Sequence, residues 1–386
     1  MQPNSGLAKR PALWADAVFR GPQPRHEGAD RLVVGVLPGE GIGPEVVRAA
    51  LGVLAAIEEA GKARFDVRTG GGIGREAEAR CGQALSEDVG AFCEEIFAQG
   101  GAVLAGPGGG RFVYDLRRRF DLYCKISPLR PFDALSHAAR LKVSAVADAD
   151  ILIVRENVGG VYQGEWKETR DAAQGRVCEH RFSYTERQVR RILRAAAALA
   201  AQRRGRLDVV VKEGGIPGIS ALWRELAAEA ASSAGIGVGW LDIDLIAYRL
   251  IQEPRAFDVI AAPNLFGDVL ADLGAVLLAS RGVSFSGNFA ESGAAVYQTN
   301  HGSALDLAGL DRADPIGQIS ALAMMLRESF GLAREAGWIE AGVGDVLRLG
   351  FRTFDIAEEG TTLVGTAEMG ERIASAAARL ARSASE

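Results

Sequence analysis

Short apolar runs, each handed over to a glycine- or proline-rich turn, constrain this chain more than any other feature. Leu32–Leu37 (LVVGVL) and residues 101–105 (GAVLA), 151–154 (ILIV), 209–211 (VVV) and 257–262 (FDVIAA) lack the alternation of a half-solvated strand. Runs this short and this apolar are strands buried on both faces, the pattern of a sheet covered by helices. Helical spacing follows the first of them. Val46, Val47, Ala50, Leu51 and Leu54 come after the turn 38–45 (PGEGIGPE), where Pro44 suits a first helical turn. An amphipathic helix is predicted over 183–202, with others over 315–332 and in the Ala-rich tail from Thr362. Residues 241–244 (LDID) alternate like a half-buried strand and lead into a helix ending before Pro254.

The stretch Asn264–Gly274 (NLFGDVLADLG) follows the last of those runs and carries the clearest chemistry. Its apolar residues recur at helical spacing, so Asp268 and Asp272 stack on one face, about 6 Å apart between Cβ atoms. Two such carboxylates repel unless a proton or cation sits between them. An all-oxygen pair suits a hard ion such as Mg²⁺ or Mn²⁺. The plainer reading is a solvated helix start, where the macrodipole favours acids.

A length of 386 residues fits roughly two to three domains or two large lobes. A net charge of −5 argues against nucleic acid or an anionic membrane as the main partner. Cys81, Cys93, Cys124 and Cys178 show no CxxC spacing and read as reduced thiols of a cytoplasmic protein. No apolar run approaches the ~20 residues of a membrane span. Residues 1–30 lack the apolar middle of a signal peptide and read as a pendant arm or a packing extension.

Site material lies at the ends of the strands. Residues 106–110 (GPGGG) need tight turns or a ligand to be rigid, and 111–121 (RFVYDLRRRFD) follow with an arginine cluster that cannot all face one point. Arg155 ends a buried strand, and Tyr162 sits on the glycine-flanked turn 158–164 (VGGVYQG). Arginine at a strand end and tyrosine on a loop are typical of functional sites. Lys212 directly follows a buried strand, as a base with a depressed pKa or as a lysine snorkelling to water. The turn 38–45 departs from GxGxxG spacing, so it reads as a tight turn beside a cleft rather than a dinucleotide fingerprint.

Six stretches in order, PGEGIGPE, LRRRFDLY, RENVGGVYQG, the strand ending in Lys212, NLFGDVLAD and HGSALDLAG, give the chain a wider identity. It resembles the β-decarboxylating dehydrogenases that act on isopropylmalate, isocitrate, homoisocitrate and tartrate, over about residues 31–380. The resemblance implies an α/β, two-lobed, isopropylmalate/isocitrate dehydrogenase-like fold with a discontinuous first lobe. Residues 31–122 and 279–386 would form the large lobe carrying the dinucleotide site, and 123–278 the small lobe with the dimer interface. It implies a homodimer whose active sites are shared. Asp268 and Asp272 would hold the metal with Asp244 of the partner subunit. Lys212 of the partner subunit would help deprotonate the substrate hydroxyl, and Tyr162 would protonate the enol after carbon dioxide leaves. Arg117 and Arg155 match two of the arginines that hold malate carboxylates. His301, Gly302, Ser303, Ala304 and Asp306, with Asp314, fall where the adenosine half of the dinucleotide binds. Members using NADP place lysine and tyrosine where this chain has Asp306 and Leu307. A carboxylate there repels a 2′-phosphate, so NAD is expected.

Three departures bear on the substrate. Ser127 stands where a third arginine is expected, and Lys125 restores the charge without the bidentate fork. Glu213 and Gly214 replace the usual Ala-Asn after Lys212. Finally, Val113 and Tyr114, with Arg111 nearby, replace the leucine pair or the small hydroxyl residue that reads the malate C3 group. These changes point to an unusual substituted malate, with a polar or anionic C3 group reaching Arg111 or Lys125. Oxidation without decarboxylation, or a catalytically silent regulatory paralogue, are the alternatives.

Overall fold

The computed structural model describes residues 13–19 and 31–384. The chain opens with β1 (Leu32–Leu37), α1 (Gly43–Ala60), β2 (Phe65–Thr69), α2 (Arg75–Cys81), α3 (Glu87–Ala98), β3 (Ala102–Ala105) and α4 (Phe112–Arg119). Its middle is β4 (Cys124–Leu129), α5 (Val143–Val146), β5 (Ile151–Glu156), the hairpin β6 (Glu165–Asp171) and β7 (Gly175–Arg181), and α6 (Glu186–Ala201). Next come β8 (Arg206–Val211), α7 (Pro217–Ala234), β9 (Gly237–Asp242), α8 (Ile243–Gln252), β10 (Val259–Ala262) and α9 (Asn264–Gly274). The chain closes with β11 (Phe285–Phe289), β12 (Ala295–Thr299), α10 (Ile316–Glu328), α11 (Ala333–Arg348), β13 (Phe351–Arg352), β14 (Thr362–Leu363) and α12 (Thr366–Ser383).

Ten strands form one sheet in the order β2-β1-β3-β12-β11-β4-β5-β10-β8-β9. Each half is mainly parallel, and the antiparallel pairs β12–β11, β11–β4 and β4–β5 join the two. Every residue of β4, β5 and β10 is buried; this is why 151–154 and 259–262 read as unbroken apolar runs, whereas β4 carries Lys125 and Ser127 into the interior. The edge strands β2 and β9 are partly solvated. One half of the sheet draws on residues 32–105 and 285–299, and the other on 124–262.

Local signals set the helices. Pro44 lies in the first turn of α1, which buries Val46, Val47, Val53, Leu54 and Ile57. Thr185 and Gln188 form a reciprocal capping box on α6. Residues 241–244 correct the sequence reading. The strand stops at Asp242, and Asp244 lies in the first turn of α8, where an acid complements the helix dipole.

Of the expected extension 1–30, residues 13–19 pack onto the fold and the remainder lies outside the described residues. The Ala15 N–H donates to the buried Glu328 carboxylate at 3.0 Å, and Phe19 meets Phe289 edge to face at 6.0 Å. Among the described residues, no helix is long and apolar enough to cross a membrane.

Candidate active site

β5 delivers Arg155 onto the first two turns of α9. The side chain is 2% exposed. Its Nε and Nη2 donate to Asn264 Oδ1 at 3.1 and 2.8 Å, while Nη1 pairs with Asp268. Asn264 Nδ2 donates onward to Gly159 O at 2.8 Å. Gly267 makes this approach possible, because a Cβ there would lie 2.8 Å from the Arg155 stem. Tyr162 rides on the short turn Val161–Gln163 that follows β5, and its hydroxyl donates to Asp268 Oδ2 at 2.9 Å. Gly160 permits that turn with φ +71°, and a Cβ there would strike the Tyr184 hydroxyl at 2.1 Å. Burial and the Asp268 charge push the Tyr162 phenol well above its ordinary pKa, so it carries its proton. For Asp268 burial works the other way, but Arg155 and Lys125 outweigh it and hold the carboxyl below its usual range.

Two more cations converge here. Lys125 lies directly opposite Arg155 in the β4–β5 register, so both project from the same face. Arg117 reaches in from α4, and both side chains are 4% exposed. Neither donates a hydrogen bond or joins an ion pair among the described residues. Burial, then Arg117 and Arg155, lower the Lys125 pKa. Burial and Arg155 pull Arg117 down to about 9, and a guanidinium still keeps its proton at neutral pH. Buried cations are ordinarily paired. With Arg155 committed to Asp268, Arg117 and Lys125 leave an excess of buried positive charge beside that carboxylate, which suits an anion.

Arg111 is placed differently from its sequence expectation. Its guanidinium stacks on Tyr114 at 5.4 Å and on Trp166 of β6 at 4.9 Å, and Nη2 donates to Tyr162 O at 3.4 Å. It braces the Tyr162 turn instead of pointing a free charge at a ligand. Tyr114 lies 5.1 Å from the Tyr162 ring, and Gln163 Nε2 donates to Tyr114 O at 3.0 Å. His180 of β7 approaches Val161 O at 2.7 Å and stacks on Trp166. Of the arginine cluster only Arg117 enters the site, since Arg118 binds Gln163 and Arg119 binds Glu87 and Glu94.

Asp268 and Asp272 lie past the first turn of α9, which contains no acid. The dipole reading therefore does not account for them. Asp272 is 45% exposed and pairs with Arg281 at 2.9 Å. Lys212 and Asp244 meet each other elsewhere, at 2.6 Å, with Asp242 at 3.4 Å. That partnership raises the Lys212 pKa, so the depressed base of the sequence reading does not exist in this ion-paired arrangement. No group of three potential metal ligands forms among the described residues of one chain. The Asp268–Asp272 pair, all oxygen and half-exposed, fits a hard dication once a further ligand is supplied from outside the chain.

The glycine turn 38–45 and the loop 301–309 prove to be one unit. Ile42 N–H donates to Ser303 O at 2.9 Å, and Ser303 Oγ donates to Glu40 Oε1 at 2.9 Å. Gly41, at φ +63°, would carry a Cβ only 1.9 Å from Ser303 O. Ser303 thus spends its hydroxyl on the scaffold. Gly302 and Asp306 are exposed, and Ala304 takes a left-handed turn at φ +39°. His301 is half-buried with Nε2 shielded and unpartnered, and burial lowers its pKa. Asp314, expected at the cofactor, is buried. It accepts the Ile316 N–H at 2.8 Å at the start of α10, and burial and Asp355 raise its pKa. Sequence reasoning gave no role to Asn264, Glu40 or Arg281, because the partners that define them are over a hundred residues away or on an unforeseen turn.

A family model described as isocitrate/isopropylmalate dehydrogenase matches residues 33–373. The 3-isopropylmalate dehydrogenase of Carboxydothermus hydrogenoformans is 37% identical over 358 residues, covering 88% of this chain and 93% of the relative. That of Aquifex aeolicus is 35% identical over 354 residues, covering 88% and 95%. The crystal structure of isocitrate dehydrogenase from Methylococcus capsulatus aligns with a TM-score of 0.80 at 29% identity, covering 90% of this chain and 99% of that one.

Proposed function

The chain belongs to the isocitrate/isopropylmalate dehydrogenase family of metal-dependent hydroxy-acid dehydrogenases, and from that premise we propose that it oxidatively decarboxylates a non-standard 3-substituted malate with NAD and Mg²⁺ or Mn²⁺. The observation that carries the substrate class is the pair of buried cations without a counter-ion among the described residues, Arg117 and Lys125, beside the Arg155–Asp268–Tyr162 cluster. A substrate with two carboxylates, and a polar or anionic C3 group, supplies the missing negative charge.

In this reading the site is shared by two subunits of a homodimer. Asp268 and Asp272 hold the ion with Asp244 of the partner subunit. A dication held there would lower the substrate hydroxyl pKa and stabilise negative charge on the decarboxylated product, and a bound NAD would supply the hydride acceptor. Once Asp244 is committed to the ion, Lys212 of the partner subunit loses the closer of the two carboxylates that hold its pKa up, and it can then take the hydroxyl proton at Nζ. Tyr162, held protonated, delivers a proton to the enol carbon from the other side. Arg117, Arg155 and Lys125 orient the carboxylates, and Tyr114 lines the C3 group. Gly302, Ala304 and Asp306, on a loop fixed by Ser303 and Glu40, receive the adenosine half, near His301 and Asp314. The hairpin β6–β7, exposed on both faces, and the exposed Leu245, Tyr248 and Val269 support a partner surface, since such a hairpin is marginal alone. The two halves of the sheet support a lobe of residues 31–122 with 279–386 and a lobe of 123–278.

The test is a panel of C3-substituted malates with NAD or NADP and either metal, with NADH and carbon dioxide measured together. Stoichiometric carbon dioxide and NAD preference on a substrate other than isopropylmalate are expected. NADH without carbon dioxide would leave simple oxidation, and no metal-dependent NADH at all would leave a regulatory paralogue. Isopropylmalate as best substrate by a wide margin would refute the C3 assignment.

A further inference from the structure

Each carboxylate of the Asp268–Asp272 pair already carries an arginine, but the two arginines are held very differently. Arg155 is buried in a central strand and pinned twice by Asn264. Arg281 opens the short turn Arg281–Val283, its own side chain 55% exposed, and its guanidinium meets Asp272 at 2.9 Å. Among the described residues it makes no other ion pair or hydrogen bond through its side chain. Two like carboxylates one helical turn apart need positive charge between or beside them, and here two guanidiniums supply it. One of them is free to leave.

Its surroundings say where it would go. The turn 281–283 meets the carboxylate pair through Asp272, and the next residue, Ser284, accepts from Asn300 N–H at 3.2 Å and Asn300 Nδ2 at 2.7 Å, directly before the loop 301–309. A hydroxy acid chelated at the pair lies within a few ångströms of this guanidinium, because ligand oxygens sit about 2 Å from such an ion. The chain also lacks a third arginine on β4, where Ser127 shares the Lys125 face.

We propose that Arg281 is a displaceable counter-cation of Asp272 that becomes a substrate-binding residue. It neutralises Asp272 in the ion-free enzyme, gives it up when a dication is bound, and then pairs with a carboxylate of the hydroxy acid. It thereby supplies the bidentate guanidinium missing at Ser127, where Lys125 restores the charge alone. This rests on the metal site proposed above.

The experiment follows Mn²⁺ binding to the full-length dimer by electron paramagnetic resonance without substrate or cofactor, for wild type, Arg281→Gln and Asp272→Asn. Thermal unfolding confirms that each variant is folded. Removing a competing exposed cation should tighten Mn²⁺ binding about fivefold in Arg281→Gln. The same variant should raise the KM for the best C3-substituted malate of the panel about tenfold while the NAD KM stays nearly constant, with partial rescue in Arg281→Lys. Unchanged or weaker Mn²⁺ binding in Arg281→Gln would overturn the proposal, and so would tighter binding with an unaltered substrate KM. If Asp272→Asn binds Mn²⁺ as wild type does, it is the metal assignment that fails.

Discussion

Replacing Lys125 by methionine, which keeps the stem and removes the charge, should move stability and catalysis in opposite directions. The ammonium is 4% exposed, opposite Arg155 in register and near Arg117, with no hydrogen-bond partner among the described residues. At an effective dielectric constant near 20, a like charge about 6–7 Å away costs about 2.5 kcal/mol. Asp268 and Asp272 return much of that for two such neighbours, and burial adds a further penalty. Lys125→Met should therefore stabilise the substrate-free protein by about 1–2 kcal/mol. Catalysis should suffer, because a charge-assisted contact to substrate contributes about 1.5–3 kcal/mol, which is about 10- to 100-fold in kcat/KM, borne mainly by KM. The lowered pKa adds a signature. A base whose folded pKa lies below its unfolded value gives stability that is present above the unfolded pKa and lost as pH falls through the folded one. Wild type should thus gain stability as pH rises towards the ordinary lysine value, and Lys125→Met should lose that slope. Denaturant unfolding across pH, alongside steady-state kinetics, reads both quantities. A destabilised variant with nearly unchanged kcat/KM would show that Lys125 is a structural residue and refute the anion-site reasoning.

Mixing inactive Lys212→Met and Asp268→Asn chains should restore about a quarter of wild-type activity if sites are shared, because half the dimers are mixed and each has one intact site. No recovery after subunit exchange would place both residues in a site built from one subunit. Trp166→Ala removes the ring beneath Arg111 and should loosen the Tyr162 turn; kcat should fall about fivefold with little change in KM, and NADH and carbon dioxide should still appear together, because Tyr162 acts after both have formed. Glu328, which holds the Ala15 N–H, has its pKa raised by burial to about 7. Its contribution to stability is complete below the unfolded value near 4.5 and is lost as pH rises through about 7. Glu328→Gln should flatten that decline and leave the protein more stable than wild type above neutrality, by up to about 3 kcal/mol; an unchanged pH profile in thermal unfolding would count against it.

Local pattern was enough for the strands. The sequence reading of residues 32–37 coincides with β1, and those of 101–105 and 151–154 fall on β3 and β5, because a strand covered on both faces leaves an unbroken apolar run. It was not enough for residues 241–244, where alternation suggested a strand and the helix dipole claimed Asp244. Nor could it assign Arg111, whose stacking partner Trp166 lies on a hairpin that the sequence reading did not single out.

What the sequence alone determined was the inventory of the site and its order along the chain. The turn 38–45, Arg117, Arg155, Tyr162, Lys212, Asp268, Asp272 and the loop 301–309 are all visible as residue types at fixed spacing. Only the tertiary structure decided their charge balance. Arg155 is committed to Asp268 and Asn264, Arg281 to Asp272, and Lys212 to Asp244, while Arg117 and Lys125 have no counter-ion among the described residues. The physical reason is range. Propensity and periodicity act over a few residues, whereas ion pairing and desolvation depend on which side chains the sheet brings together from segments a hundred residues apart.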